Sequence, residues 1–403
     1  MRLLVITQYF WPEDFRINEL VDYLCQNGHD VSIITGQPNY PEGRIFSNFL
    51  KEPDNYKEFL TAKVIRVRVP ARGKTKFSLI LNYLSFVVLA SIRSLIYCKR
   101  NKFDHIFVFE PSPITVCLPA IVTKKFYKIP ITFWVLDLWP ETLTAVGAIK
   151  HNSIFLKPLK GLTKFIYKNC DLILGQSRSF VKEIEKYFPK KRNVKYFPNW
   201  VESTYIEDKG HNEVIPNNPE IFKIVFAGNI GSAQDFPSIL NSMAKLPENS
   251  KAVLYVLGDG RYKDWLTKEI ISRNLSHRIK LLGRYPQSFM PGCFRAADAL
   301  LVSLKSDYIF EKTIPGKLQS YMISKKPILG SINGEGAELI KDTFCGLVNN
   351  EINQLTLEQN IYELERLSEA ERSQMGTNGY EYAIKNFNKE ILMGKLISWM
   401  DTI

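Results

Sequence analysis

The stretch "RLLVITQYFWPEDFRINELVDYLCQNGHDVSIITG", residues 2–36, decides the fold. It opens on an apolar, partly β-branched run from Leu3 to Tyr9, crosses a charged loop, takes up a helical spacing near Arg16 and ends on a second apolar run, "DVSIITG". Strand, helix and strand in that succession make a parallel pair joined by a crossover helix. The loop is the odd part, because "FWPEDFR" sets Glu13, Asp14 and Arg16 between strand and helix. In an open parallel sheet the loops at the carboxyl ends of the strands line the ligand crevice, so charge placed there meets a substrate.

Working outward, further strands are read at "VIRVRV", "HIFVFE", "ITFWVLD", "DLILGQS" and "VKYFPN". A polar, proline-containing stretch, 202–221, interrupts the alternation. It resumes with "KIVFAGN", "AVLYVLGDG", "IKLLGR", "DALLVSL" and "PILGSI". A chain of 403 residues exceeds what one hydrophobic core usually serves. The expected architecture is therefore α/β: two doubly wound parallel-sheet domains, 1–201 and 222–380, joined by a linker at 202–221 and facing a central cleft. The segment 381–403 is read as a C-terminal helix free to pack back on the first domain.

Charge divides along the same line. Up to Trp200 there are 30 Lys and Arg against 16 Asp and Glu, a net of +14; the totals of 53 and 41 leave 23 against 25, or −2, for the rest. Such asymmetry points to an anionic partner for the first half. Nucleic acid is set aside, since the cations are dispersed and no RNA or DNA module is present. Six cysteines without a C-x-x-C pair read as buried thiols rather than as a disulfide or metal framework. The N-terminal residues reach a charged loop before an adequate signal h-region accumulates. Phe77–Arg100 is apolar but carries Arg93, and reads either as a helix lying in a membrane interface or as an ordinary buried helix.

Several motifs follow strands. "FAGNIG" offers Gly228 and Gly231, with Asn229 between them, for a phosphate at a helix N-terminus. "LGDG" brings Asp259, and "LGRYP" brings Arg284 and Tyr285, to the ends of the next strands. "TIPGKLQSYM" puts Lys317 in the first turn of a helix, where a cation is unfavourable unless an anion compensates. In the first half "WVLDLWPET" sets Asp137 and Glu141 among tryptophans, acids and aromatic faces together suiting a sugar.

Four stretches together, 2–43, "DLWPET" (137–142), "FAGNIG" (226–231) and "IPGKLQSYMISKKPILGSINGEG" (314–336), resemble glycosyltransferases of fold type GT-B and sequence family 4. More narrowly they resemble the bacterial enzymes of O-antigen, capsule and colanic acid synthesis, and among these the L-fucosamine (L-FucNAc) transferases. The resemblance implies two Rossmann-like domains, a UDP-sugar donor and a polyprenyl-diphosphate-linked N-acetylglucosamine acceptor. It further implies metal-independent chemistry without a cofactor, in a cytoplasmic enzyme held peripherally on an anionic inner-membrane surface. The catalytic residues are then expected among Glu13, Asp14, Asp137 and Glu141. Arg16, Asn18, Asn39 and Tyr40 would bind the acceptor, and Gly228, Asn229, Gly231, Asp259, Arg284, Tyr285, Lys317 and Glu335 the donor nucleotide.

The chain departs from the family pattern in three places. The usual pyrophosphate Arg and Lys fall on Asn229 and Gln234, the paired glutamates fall near Lys312 and Ser320, and "PEDF" replaces a Gly-Gly in the first loop. Arg284 and Lys317 are expected to neutralise the diphosphate instead, with Glu311 or Glu335 in place of the ribose carboxylate. If configuration inverts, Glu13, or else Asp14, takes the acceptor proton; if it is retained, both bind acceptor hydroxyls. A nucleotide-sugar 2-epimerase and a non-catalytic sugar-nucleotide binding protein are the alternatives.

Overall fold

The computed structural model describes residues 1–73, 75–145, 147–150, 152–190, 192–206, 214–349 and 356–403, with residue 76 by its backbone only. They form two compact units: Met1–Pro198 with Met393–Ile403, and Asn199–Leu392.

The first unit is built on an eight-stranded sheet of β1 (Arg2–Thr7), β2 (Asp30–Gly36), β3 (Glu58–Phe59), β4 (Ala62–Val67), β5 (His105–Glu110), β6 (Ile131–Val135), β7 (Leu172–Gly175) and β8 (Val194–Tyr196). Their order is β3-β4-β2-β1-β5-β6-β7-β8. All pairs are parallel except β3 with β4. β1 is apolar from Leu3 to Ile6 because both its faces are covered, and Val5 lies between Ile33 of β2 and Phe107 of β5. The helix Arg16–Gln26 turns Ile17, Leu20, Val21 and Leu24 into the core at i, i+3, i+4 and i+7. Each buried side chain of this kind stabilises the unit by ~1.5–3 kcal/mol.

The order of strands reverses at β1. Steps to β2 and β4 run one way along the sheet, and steps to β5, β6 and β7 run the other. Right-handed crossovers therefore set the helices Lys76–Arg100, Leu118–Tyr127 and Leu156–Asn169 on one face of the sheet.

The second unit holds a six-stranded parallel sheet of β9 (Phe222–Ala227), β10 (Ala252–Leu257), β11 (Ile279–Gly283), β12 (Ala299–Ser303), β13 (Ile328–Ser331) and β14 (Gly346–Val348), ordered β11-β10-β9-β12-β13-β14. Its switch point lies between β9 and β12. Phe226, Phe236, Ile239, Leu254, Leu301 and Leu357 belong to its core. The chain thus folds as two α/β units with parallel sheets.

Three details differ from expectation. β3 and β14 were not foreseen, being two and three residues long. The stretch set apart as a linker lies, where it is described, inside the second unit. Its short helix Ser203–Ile206 is held there by Tyr205, which stacks on Phe294 with centroids 5.6 Å apart. Residues 207–213 of the same stretch lie outside the described residues. Residues 381–403 are not one helix either. Glu369–Asn386 ends within them and Lys389–Asp401 follows, Phe387 and Asn388 forming the break. From Met393 onward the chain belongs to the first unit, where Trp399 meets Phe197 edge-on at 6.4 Å.

Candidate active site

In the second unit the carboxyl ends of β9 and β10 close on each other through glycine. A Cβ on Gly258 would lie 1.8 Å from the Gly228 carbonyl oxygen, so only glycine admits this approach. Gly228 holds φ at 143°, a conformation L side chains avoid. The Gly228 N–H donates to Leu257 O at 2.8 Å and the Ile230 N–H to Asp259 O at 2.8 Å. The two loops form one ledge. Asn229 is exposed on it, and Gly231 donates to Gln234 Oε1 at 3.2 Å. Asp259 is exposed, accepts from Gly260 N and pairs with Lys263 at 3.7 Å.

Lys317 is the second residue of the helix Gly316–Ile323. Its Nζ lies 4.0 Å from the centre of the Phe226 ring, and a Cβ on Gly228 would stand 2.7 Å from it. That ammonium is out of contact with solvent and has no hydrogen-bond partner. Burial pulls its pKa down to about 8. A buried cation beside a glycine ledge at a helix N-terminus, lacking a counter-charge, is a place prepared for an anion.

The neighbouring loops complete this wall. Arg284 is exposed immediately after β11, and Tyr285 beside it packs against Phe289 at 6.0 Å. Glu335 opens the helix Glu335–Asp342. The preceding Gly334 touches the Glu311 backbone so closely that a Cβ there would be 1.9 Å from Glu311 O. Glu311 and Glu335 thus share one corner, where the Glu311 carboxylate accepts from Ser306 Oγ at 2.7 Å.

In the first unit Glu13, expected to take a proton or bind the acceptor, is built into the fold. The residue is 2% exposed. Its Oε1 accepts from the backbone N–H groups of Asn39 and Tyr40, both at 2.7 Å, and its Oε2 from Phe10 N at 3.2 Å. Burial raises its pKa, against these three bonds and the nearby Arg66, which lower it. A carboxylate so engaged clamps the loop after β1 to the loop after β2. Asn18 serves the same loop, donating to Glu13 O at 2.7 Å and accepting from Trp11 N at 3.0 Å. Arg66 donates to Gly36 O and to Trp11 O. Asp14 is exposed, and the following helix takes no side-chain cap. Arg16 is engaged by Glu19 at 3.2 Å.

Beyond the clamp, Tyr9, Phe15 and Tyr40 form an aromatic cluster with centroids 5.2–5.5 Å apart. The Arg72 guanidinium lies 5.2 Å from the Tyr40 centroid, and Arg72 N donates to Asn39 Oδ1 at 3.0 Å. Asp137 follows β6, and burial raises its pKa to about 7, with a Ser112 hydrogen bond opposing. Ser112 holds φ at 105° and accepts from Trp139 Nε1 at 3.3 Å. Glu141 pairs with Lys160 at 3.5 Å.

One functional candidate was missed. Glu110 ends β5, is fully buried, and its Oε2 accepts from Leu136 N at 3.3 Å and Asp137 N at 3.2 Å. Its Oε1 has no partner. Burial, then the charge of Asp137, pushes its pKa well above the carboxylate range. The signal in the sequence was a single acid closing an otherwise apolar strand, "HIFVFE". Among the described residues no group of three or more His, Cys, Asp or Glu is arranged to hold a metal ion.

Two α/β units with these loops at the carboxyl ends of their strands are the architecture of the GT-B fold. Sequence models agree: residues 16–205 match "Glycosyltransferase Family 4" and residues 209–382 match "Glycosyl transferases group 1". The chain is thus of the GT-B, group 1 and family 4 glycosyltransferase type.

Similar curated proteins include the probable glycosyltransferase WbjE of Pseudomonas aeruginosa, 29% identical over 51% of this chain and 52% of that protein. The putative colanic acid biosynthesis glycosyl transferase WcaI of Escherichia coli K12 is 25% identical over 80% and 81%. The N-acetylgalactosamine-N,N'-diacetylbacillosaminyl-diphospho-undecaprenol 4-alpha-N-acetylgalactosaminyltransferase of Campylobacter jejuni is 26% identical over 53% and 56%. The chain thus spans about half the length of the first and third of these relatives and 81% of the second. Anabaena HepE, solved in complex with UDP, superposes with a TM-score of 0.69 at 10% identity over 100% of both chains.

Proposed function

We propose that this chain transfers a sugar from a UDP-sugar to a polyprenyl-diphosphate-linked N-acetylglucosamine in bacterial O-antigen or capsule synthesis, with L-FucNAc from UDP-L-FucNAc as the favoured sugar. One observation carries the reading: the buried, unpartnered Lys317 ammonium beside the Gly228 ledge. A nucleoside diphosphate supplies the missing counter-charge, and Arg284 adds a second cation from β11. The UDP bound by HepE and the diphospho-undecaprenol in the name of the Campylobacter enzyme support the two substrate classes.

The leaving diphosphate develops charge, which Lys317 and the ledge amides stabilise. In the first unit Asp137 handles the proton of the acceptor hydroxyl, in the place first given to Glu13. Its carboxylate titrates near neutral pH, where an acid–base group works best. Glu110 positions it by holding its backbone N–H. Phe15 and Tyr40, backed by the buried Tyr9, offer aromatic faces to an acceptor sugar, and Arg72, over the Tyr40 ring, is better placed for its diphosphate than the engaged Arg16. Neither metal nor cofactor has a part in this scheme.

The test is incubation with a panel of labelled UDP-N-acetylhexosamines and polyprenyl-diphosphate N-acetylglucosamine. Label in the lipid fraction supports transfer. An isomerised nucleotide sugar would instead make the chain an epimerase, and an unaltered panel that still binds would make it a binding protein.

A further inference from the structure

The helix Lys76–Arg100 is built inside out. Its inward stripe is small and partly polar: Asn82, Phe86, Ala90 and Ser94 are fully buried and Cys98 nearly so. Its outward stripe is apolar: Phe77, Leu81, Leu84, Val88, Ile92 and Ile96 are each between 43% and 76% exposed. These are spaced i, i+4, i+7, i+11, i+15 and i+19, which keeps them on one line along the helix. A water-facing helix shows the reverse pattern.

Hydrogen bonds hold the inward stripe in place. Gln8 Nε2 donates to Asn82 Oδ1 at 2.9 Å, Asn82 Nδ2 to Pro70 O at 2.6 Å, and Thr123 Oγ1 to Ser94 Oγ at 2.7 Å. Tyr97 Oη meets Ser32 Oγ at 3.2 Å. Each of these groups would lose its partner if the helix left the sheet, and an unpaired polar group in hydrocarbon is expensive. The length and hydropathy of Phe77–Arg100 alone would admit a span. The bonds keep it in the unit.

The apolar line does not stand alone. The helices Leu118–Tyr127 and Leu156–Asn169 lie on the same face of the sheet, as their crossovers require. Tyr127 Oη donates to Leu95 O at 2.8 Å, and Lys124 Nζ to Asn169 O at 3.0 Å, so the C-terminal ends of the three helices meet. There Phe126 and Phe165 are exposed by 67% and 50%. None of the three helices contains an Asp or Glu. Lys99, Arg100, Lys125, Lys128, Lys164 and Lys168 are all exposed. Asp171, just after the third helix, is spent on Lys124 at 2.6 Å. Apolar side chains on helices that carry cations and no carboxylate match an anionic lipid surface in both respects.

We propose that this three-helix face docks flat on an anionic bilayer, the Lys76–Arg100 helix lying in the headgroup region with its axis along the surface and remaining part of the folded unit. The occupant is lipid rather than a second copy, because a self-complementary interface would bring three helices that carry cations and no carboxylate against themselves. The proposal does not depend on the transferase reading.

The experiment is co-sedimentation of the full chain with phosphatidylcholine vesicles, with and without phosphatidylglycerol, at rising salt. Expected is pelleting that needs phosphatidylglycerol, weakens with salt and reverses in high salt without detergent. In the variant Leu84→Glu/Val88→Glu/Ile92→Glu the bound fraction should fall about tenfold or more, with circular dichroism unchanged because all three side chains are exposed. Should that variant misfold, Lys125→Gln/Lys128→Gln/Lys168→Gln keeps the apolar line and should still weaken binding about tenfold at low salt. Equal pelleting with neutral vesicles at all salts overturns the proposal. So does release by detergent alone, which would mean a span, or a dimer in solution that the first variant dissolves without any lipid binding.

Discussion

The Lys317 ammonium stands 4.0 Å from the centre of the Phe226 ring and has no hydrogen-bond acceptor. A cation–π contact replaces only part of the hydration lost, and the pKa falls to about 8 in consequence. The ordinary value is 10.5, so the unfolded chain holds more protons than the folded one between about 8 and 10.5, and stability should rise with pH across that window. An anion at the Gly228 ledge would restore the charged form. Calorimetric titration with UDP at pH 8, in buffers of different ionisation enthalpy, should show uptake of about half a proton that fades toward pH 6.5. Lys317→Met should abolish the uptake and weaken UDP by ~1.5–3 kcal/mol while raising the stability of the free protein at pH 7. Parent-like UDP affinity in this variant removes Lys317 from the site.

Asp137 makes the opposite linkage. Burial raises its pKa from 3.8 to about 7, so the folded state keeps a proton that the unfolded state has lost. The contribution to stability is complete below about 3.8 and is lost as pH rises through 7. Asp137→Asn should therefore raise the melting temperature at pH 8 and leave it unchanged near pH 3. If Asp137 takes the acceptor proton, kcat/KM climbs through about pH 7 in the parent and is flat and ~10²–10⁴-fold lower in the variant. A parent-like profile in Asp137→Asn ends its assignment as the proton acceptor.

Much of the fold was legible because a parallel strand buried on both faces reads as an unbroken apolar run, as in "LLVI" and "HIFVF". β3 and β14 escaped because two or three residues carry no period. In the site, Lys317 stood out locally, since a cation in a first helical turn breaks a rule that needs no tertiary knowledge. The engagement of Glu13 was hidden for the converse reason. Its partners Asn39 and Tyr40 lie a strand and a helix away in sequence, and nothing in "FWPEDFR" tells that the carboxylate turns back to them. Glu110 was overlooked for the same cause, its partners Leu136 and Asp137 coming from the loop after the next strand.

The glycine ledge gives a steric prediction. A methyl on Gly258 would stand 1.8 Å from Gly228 O, and backbone must move to admit it. Gly258→Ala should lose ~1–3 kcal/mol in urea denaturation and weaken UDP by displacing Gly228. Gly316→Ala is the control, since nothing lies within 4 Å of its would-be Cβ and its φ is ordinary. Its stability should be equal or slightly higher. Equal stability in both variants would mean that the ledge yields freely.

Glu13→Gln separates a clamp from a base. As a clamp, the carboxylate offers acceptors on both oxygens, Oε1 to Asn39 and Tyr40 and Oε2 to Phe10. Glutamine has one such oxygen, so its NH2 must face at least one of these backbone N–H groups and leave it without an acceptor inside the protein. That should cost about 1–3 kcal/mol of stability and loosen the loops that carry Tyr9 and Tyr40, raising the acceptor KM more than it lowers kcat. UDP binding is unaffected, as the ledge residues belong to the second unit. Asp14→Asn, on an exposed side chain, should match the parent in every measurement. A Glu13→Gln protein with the parent's melting temperature and turnover ~10²-fold slower would return the proton-accepting role to Glu13 and take it from Asp137.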